Sequence, residues 1–319
     1  MEKRPLGISG IYVTPIIMGT WQAGKAMWSG VKDSESREAI RRAYEAGITT
    51  FDTAEAYGNG HSERLLGKTL ADVRESTVYA TKVSPNHLNY PQVLAACDRS
   101  LKNLRTDYID LYQIHWPAGS WGGKRVPIEE TMEALNDLKE KGKIRAIGVS
   151  NFSLSQLQDA CRHGRIDSLQ PPYSLFWRHA ERDLIPFCLE NRITLLAYSP
   201  LAQGLLTGKF GPQHTFPPGD NRSRNKLFKG KNMDRAQAAL RRLRPIAERH
   251  GATLAQLALC WVIAHPRTCA VVGASKANQV LENVRAAGLR ITEADLREMD
   301  SISRIVTDHL DDDPVLWDT

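Results

Sequence analysis

Ile48-Thr49-Thr50-Phe51-Asp52-Thr53-Ala54-Glu55-Ala56-Tyr57-Gly58 reads as a strand that runs straight into a polar loop. β-Branched and aromatic residues lead up to Asp52, Tyr57 follows, and Gly58-Asn59-Gly60 closes the loop before a helix begins. A carboxylate and a phenol are thereby carried to one end of a strand. Two later strands end in the same way: Val78-Tyr79-Ala80-Thr81-Lys82 stops on a lysine, and Ile109-Asp110-Leu111-Tyr112-Gln113-Ile114-His115 on a histidine. Asp52, Tyr57, Lys82 and His115 are expected to meet in one cleft.

Working outward, short apolar runs alternate with helical segments along the chain. Arg4 to Val13 predicts a hairpin with Gly and Ser at its turn, and Ile16-Ile17-Met18-Gly19-Thr20-Trp21 a first buried strand. Helices are expected from Asp33 to Ala46, capped by Asp33 or Ser34 and stopped by Gly47, from Ser62 to Ala71, and from Pro91 to Leu104. A helix from Pro127 to Lys141 leads to a strand from Ile144 to Asn151, and Ser153 caps the helix after it. Strands at Ile166 to Tyr173, Ile193 to Ser199 and Cys269 to Gly273 complete the series, with helices from Glu181 to Glu190 and from Ala277.

Strand and helix alternate eight times, and each strand is suited to burial on both faces. An open doubly wound sheet is the main competitor, but no G-x-G-x-x-G follows the first strand. The expected fold is α/β, a closed (β/α)8 TIM barrel with an N-terminal hairpin and extra helices, spanning residues 1–319 as a single domain. The segment Arg235 to Glu248 beside Thr253 to Ala264 gives the seventh unit one helix too many, and Thr292 to Ser301 adds another. Leu201 to Met233 is a long interruption rich in Gly, Pro and basic residues, a feature that is usually functional in a compact domain.

A chain of 319 residues fits two average domains or one such barrel, and composition does not choose: 42% hydrophobic with 24% charged residues is ordinary for a globular protein with a full core. There is no apolar run of roughly 18 residues and no signal-type segment after Met1-Glu2-Lys3-Arg4-Pro5, so a cytoplasmic protein without a membrane span is expected. The five cysteines are scattered and never spaced as C-x-x-C, and H-E-x-x-H is absent, which speaks against disulfides and a metal site. Nine Lys/Arg against Asp234 alone stand between Arg222 and Arg244, so one basic face carries more than the formal net charge of +6. No nucleic-acid motif accompanies it, leaving a phosphorylated small molecule or a solvated face as its partner. No feature of the sequence assigns an oligomeric state.

In a parallel barrel the C-terminal strand ends form the reactive face. A tyrosine is a poor acid near neutrality, but an ammonium nearby stabilises phenolate and a carboxylate fixes that ammonium. Tyr57 is thus a candidate proton donor to a carbonyl oxygen, with His115 able to bond the same oxygen. Each residue alone also fits a structural role: Asp52 as ion-pair partner of Lys82, Tyr57 as a turn residue, His115 as a core histidine. In the second half of the barrel, Ser150, Asn151 and Gln170 could hold a carboxamide, and Tyr198 could stack on a flat ring. Gly273-Ala274-Ser275-Lys276 leads into a helix whose free N–H groups suit a phosphate. Gly204-Leu205-Leu206-Thr207-Gly208-Lys209 lacks the spacing of a P-loop, and Phe210 stands where its Ser/Thr would be.

Phe51-Asp52-Thr53-Ala54-Glu55-Ala56-Tyr57-Gly58 with His61-Ser62-Glu63, the Lys82 and His115 strand ends, Gly148-Val149-Ser150-Asn151-Phe152, and Tyr198-Ser199-Pro200-Leu201 resemble the aldo-keto reductase family. Gly204 to Phe210 and Phe176-Trp177-Arg178 are most similar to the bacterial general-stress-type members. The resemblance covers nearly the whole chain and implies a barrel that binds NADP(H) extended across its top. It implies Asp52, Tyr57, Lys82 and His115 as a catalytic tetrad, with Tyr57 the general acid in reduction. The nicotinamide would lie against Tyr198, its amide held by Ser150, Asn151 and Gln170. Ser199, Leu201, Gln203 and Gly204 would line the pyrophosphate, with the basic loop closing over it. Gly273, Ser275, Lys276, Gln279, Glu282 and Asn283 would surround the adenosine and its 2′-phosphate. Gln279 stands where many relatives place an arginine, which leaves Lys276 to supply the charge and weakens the expectation of NADP over NAD.

The implied function is NADPH-dependent reduction of small aldehydes or ketones. Two alternatives use the same residues: a Schiff-base aldolase with Lys82 as nucleophile, and a cofactor-binding, redox-sensing subunit such as some relatives form. Trp21, Trp28, Trp116 and Trp121 are candidate walls of an apolar substrate pocket. The tail Val315-Leu316-Trp317 either frays or folds over the cleft.

Overall fold

The computed structural model describes residues 1–319 apart from Ala26, Ser29 and Thr319. A short antiparallel pair, β1 (Arg4–Pro5) and β2 (Tyr12–Val13), precedes eight parallel strands. These are β3 (Ile16–Gly19), β4 (Thr50–Asp52), β5 (Val78–Val83), β6 (Ile109–Ile114), β7 (Ile144–Ser150), β8 (Ser168–Gln170), β9 (Thr194–Tyr198) and β10 (Thr268–Gly273). They pair in sequence order and β10 returns to β3, closing a (β/α)8 barrel. The helices are α1 (Asp33–Glu45), α2 (His61–Thr69), α3 (Tyr90–Leu104), α4 (Ile128–Glu140), α5 (Leu154–His163), α6 (Leu184–Glu190), α7 (Gly230–Arg249), α8 (Leu254–Ala264), α9 (Ala277–Arg285) and α10 (Glu293–Thr307). Both α7 and α8 lie between β9 and β10, as the surplus helix in the sequence requires.

Alternate residues of a strand share a face, and the barrel interior changes chemistry along that period. Its lower layer is apolar: Ile17, Ala80, Leu111, Ala146, Leu196 and Cys269 pack with Leu6, Ile11 and Val13 of the hairpin, which plugs the bottom. Two residues further along β5, β6 and β9 come Lys82, Gln113 and Tyr198, and Asp52 and Gln170 end their strands at the same end. The hydrophobic effect thus anchors one end of the barrel, while the other carries polar groups that need partners or a ligand.

Several boundaries differ from expectation for local reasons. β8 stops at Gln170 instead of reaching Tyr173, because Pro171 and Pro172 offer no N–H to a ladder. Neither Asp33 nor Ser34 caps α1; Lys32 holds the cap position without a side-chain bond, and Asp33 instead pairs with Lys25 and His61, each at 2.9 Å. α6 begins at Leu184, after a 3₁₀ turn at His179–Glu181. α7 starts at Gly230 and α10 continues to Thr307, both beyond the expected limits. The long interruption is not featureless: 3₁₀ turns occupy Ala202–Thr207, Asn221–Arg224 and Lys226–Phe228. Among the described residues no helix is long and apolar enough to cross a membrane.

Candidate active site

Asp52 at the end of β4, Tyr57 in the loop after it, Lys82 on β5 and His115 just beyond β6 come together at the polar end of the barrel. Lys82 is fully buried, and its Nζ donates to Asp52 Oδ1 at 2.6 Å, the Thr53 carbonyl at 2.8 Å and Tyr57 Oη at 3.5 Å. The second carboxylate oxygen of Asp52 accepts from Gln170 Nε2 at 2.9 Å and Gln113 Nε2 at 3.3 Å. The Tyr57 and His115 rings meet edge to face, centroids 5.6 Å apart. The Tyr57 loop is fixed by close backbone contact with the turn Trp21–Gly24: Gly58 has φ +63°, and a Cβ there would lie 2.3 Å from the Gly24 carbonyl oxygen. With its donors spent on Asp52, Thr53 and Tyr57, and no surface of its own, Lys82 does not present a nucleophile to the cleft.

Burial pulls the Lys82 ammonium down, and the Asp52 carboxylate pushes it back up. Tyr57 is pushed well above its ordinary value by burial and then by Asp52. This departs from the expectation of a phenol acidified by a neighbouring ammonium. Burial of the phenol is the larger cause, and the Asp52 carboxylate, 2.6 Å from Lys82, adds its own charge against a phenolate. Tyr57 therefore holds its proton at neutral pH. Burial, then Lys82, hold the His115 imidazole well below its usual range, so it is neutral.

His115 has a consequence for stability. Below about pH 6.5 the unfolded chain takes up a proton that the folded imidazole refuses, so stability falls with pH by up to about 1.4 kcal/mol per unit. His115→Asn is expected to show a smaller loss between pH 7 and about pH 5.5 in urea denaturation than the wild type. Equal losses in the two proteins would contradict a buried, neutral His115.

A cleft of about 1060 Å³ opens above these groups. Asp52, Tyr57 and His115 line it, as do Trp21, Trp28, Trp116 and Trp121. So do the expected cofactor residues Ser150, Asn151, Gln170, Tyr198, Ser199, Leu201, Gln203, Gly204, Gly273, Ser275, Gln279, Glu282 and Asn283. Lys276 does not; it is exposed at the N-cap of α9. Just before α9, Gln279 Oε1 accepts from the Ser275 and Lys276 amides at 2.9 and 3.2 Å. The carboxamide-type residues are tied together: Tyr198 Oη donates to Asn151 Oδ1 at 2.9 Å, Asn151 Nδ2 to Ser150 Oγ at 3.0 Å, and Ser150 Oγ to the Gln170 carbonyl at 2.7 Å.

The model of the Aldo/keto reductase family matches residues 15–304. The chain belongs to the aldo-keto reductase family. Among relatives of this reductase, the aldo-keto reductase YhdN of Bacillus subtilis (strain 168) is 37% identical over 95% of this chain and 93% of its own. The NADH-specific methylglyoxal reductase of Escherichia coli (strain K12) is 33% identical over 94% and 98%. A solved aldo-keto reductase from Klebsiella pneumoniae in complex with NADPH superposes with a TM-score of 0.77 at 29% identity, covering 100% of both chains.

The structure of this aldo-keto reductase adds cleft residues that the sequence did not single out. Gln22, Lys209, Arg222 and Arg224 line the cleft, together with Trp317 of the tail. Lys209 lay in the discarded P-loop string, and Arg222 and Arg224 within the basic cluster, so their charge was the available signal. The C-terminal tail folds over the cleft: the Trp317 ring is parallel to Tyr198, centroids 6.1 Å apart, and edge-on to Trp21 at 6.0 Å. It is held there by the basic segment. The Lys226 amide donates to Leu316 and the Asp318 amide to Arg224, while Lys226 pairs with Asp311 and Asp313, and Lys229 with Asp318. Part of the basic face thus serves the acidic tail.

Proposed function

We propose that this oxidoreductase reduces aldehydes or ketones with NADPH, with Tyr57 as the proton donor. The observation that carries the reading is the polar end of the barrel: a protonated Tyr57, a neutral His115 and a buried Lys82–Asp52 pair at the floor of a cleft of about 1060 Å³. The nicotinamide, when bound, supplies a hydride to the carbonyl carbon. The carbonyl π electrons then pass to oxygen, which takes the Tyr57 proton, and the Lys82 ammonium stabilises the phenolate left behind. His115 in its neutral form donates a hydrogen bond to the same oxygen and orients it. Trp21, Trp28, Trp116 and Trp121 make an apolar, aromatic wall for the carbonyl compound.

The chain fits the cofactor on its own chemistry. Lys209 makes no salt bridge among the described residues; partial burial and Arg222 pull its ammonium down, against Glu282, while Arg222 itself is paired with Asp220 at 2.6 Å. An ammonium facing the cleft without a salt bridge favours a bound anion, which suits a pyrophosphate or a ribose phosphate. Gln203 Nε2 is a buried donor without a partner beside it. With Lys276 away from the cleft, Lys209, Arg222 and Arg224 become the source of any preference for a phosphorylated ribose. The NADPH-bound relative supports NADP(H), whereas the NADH-specific one makes the preference a matter for direct test.

Oxidation of NADPH and of NADH by an aromatic aldehyde, measured side by side, tests the reading. Turnover with NADPH is expected, and binding without turnover for a range of aldehydes would contradict it. Lys209→Ala is expected to raise the NADPH dissociation constant by about 10-fold or more, the worth of a charge-assisted contact. An unchanged constant would remove Lys209 from the cofactor site.

A further inference from the structure

We infer that Gln113 is a positioning residue of this site, orienting the Asp52 carboxylate and through it the Lys82 ammonium; the inference rests on the reductase reading above. Gln113 is fully buried in a strand whose other interior residue, Leu111, is apolar. Lys82, Gln113, Gly148 and Ser168 are register partners across β5, β6, β7 and β8, so they form one layer inside the barrel. From that layer Gln113 Nε2 reaches Asp52 Oδ2 at 3.3 Å, while its Oε1 accepts from Ser168 Oγ at 3.5 Å. The second bond decides which end of the amide faces the carboxylate. Gly148 makes the room: a Cβ there would lie 2.2 Å from Ser168 Oγ and 2.9 Å from Gln113 Cγ. Three strands thus collaborate to place one amide beneath one carboxylate.

Asp52 accepts from Lys82 on one oxygen and from Gln170 and Gln113 on the other, so both ends of a buried carboxylate are fixed and Oδ1 is aimed at the ammonium. The charged or titratable groups around the pair are Tyr57 from the β4 loop, His115 from the end of β6, and Glu63 of α2, which acts on Lys82. β7 and β8 contribute only the uncharged Ser150, Ser168 and Gln170. Without Gln113 the carboxylate is held on Oδ2 by Gln170 alone and is free to turn from Lys82. The ammonium, which burial already pulls down and Asp52 holds up, then gives up its proton at a lower pH.

The test is the pH profile of kcat/KM for NADPH-dependent aldehyde reduction in the wild type, Gln113→Leu and Gln113→Glu, with NADPH affinity from fluorescence titration as a check on folding. Gln113→Leu is expected to move the basic limit of the active window down by about one pH unit or more. Gln113→Glu keeps the size and, while protonated, the donor. Its activity is expected to stay near wild type at acid pH and to fall about 10-fold or more as the introduced carboxyl ionises beside Asp52. A space-filling role lowers activity by the same factor at every pH, so profiles parallel to wild type in both variants would overturn the inference. Should Gln113→Leu not fold, the Gln113→Glu profile alone decides. A wild type without turnover would instead overturn the reductase reading.

Discussion

Tyr57→Phe is expected to lower kcat for NADPH-dependent reduction of an aromatic aldehyde by about 1000-fold, within the range that a positioned general acid supplies. The substitution removes only Oη. The ring keeps its edge contact with His115 at 5.6 Å and its tilted contact with Trp21 at 6.3 Å, so the cleft retains its shape. NADPH affinity should therefore stay within about twofold of wild type, a difference of less than 0.5 kcal/mol. The burial that raises Tyr57 also keeps it protonated across the neutral range, so the wild-type rate should not depend on titration of the phenol there. Steady-state kinetics and fluorescence titration read both quantities. Joint loss of activity and affinity would mark Tyr57 as a binding residue instead, and an unchanged kcat would remove it from the chemistry.

Lys82→Met is expected to cost about 3–5 kcal/mol of folding stability as well as activity, because it leaves Asp52 as a buried charge without its counter-ion. Lys82 is among the largest fully buried side chains, and Asp52 is 2% exposed, so water cannot replace the lost ammonium. The amides of Gln113 and Gln170 remain on Oδ2, but Oδ1 loses its donor at 2.6 Å. Adding Asp52→Asn removes the stranded charge and should return part of the stability but none of the activity. Urea denaturation of the two single variants and the double variant gives the comparison. Stability unchanged by Lys82→Met would mean that the pair is solvated or neutral in the folded protein.

Much of this arrangement was legible because a parallel barrel writes its plan into short apolar runs. β5 and β6 could be read to within one residue, β5 running on to Val83 and β6 stopping at Ile114, and Lys82 and His115 stood out as residues that an apolar strand does not carry at its end without reason. Gln113 was legible in principle, two positions after Leu111 and therefore on the same inner face, yet attention to strand ends passed over it. The true end of β8 needed the weight of Pro171-Pro172 against a favourable run of side chains. Asp33 looked like a cap because caps are local, whereas its actual partners, Lys25 after the turn Trp21–Gly24 and His61 at the start of α2, come from elsewhere in the chain. The tail is the clearest limit on local reading. Nothing in Val315-Leu316-Trp317 announces that Trp317 will lie parallel to Tyr198, since that contact depends on Lys226 and Lys229 drawing an acidic segment across the cleft. Lys209 and Arg222 likewise became a pair only when the segment after β9 was folded.

The central claim is that this cleft transfers a hydride to a carbonyl carbon while Tyr57 protonates the oxygen. NADPH deuterated at the nicotinamide C4, incubated with an aromatic aldehyde and the wild-type protein, tests it most directly. The account predicts an alcohol carrying deuterium on the former carbonyl carbon, one per NADPH oxidised, and almost none formed by Tyr57→Phe in the same time. Alcohol without deuterium, or equal deuterium transfer by Tyr57→Phe, would contradict it.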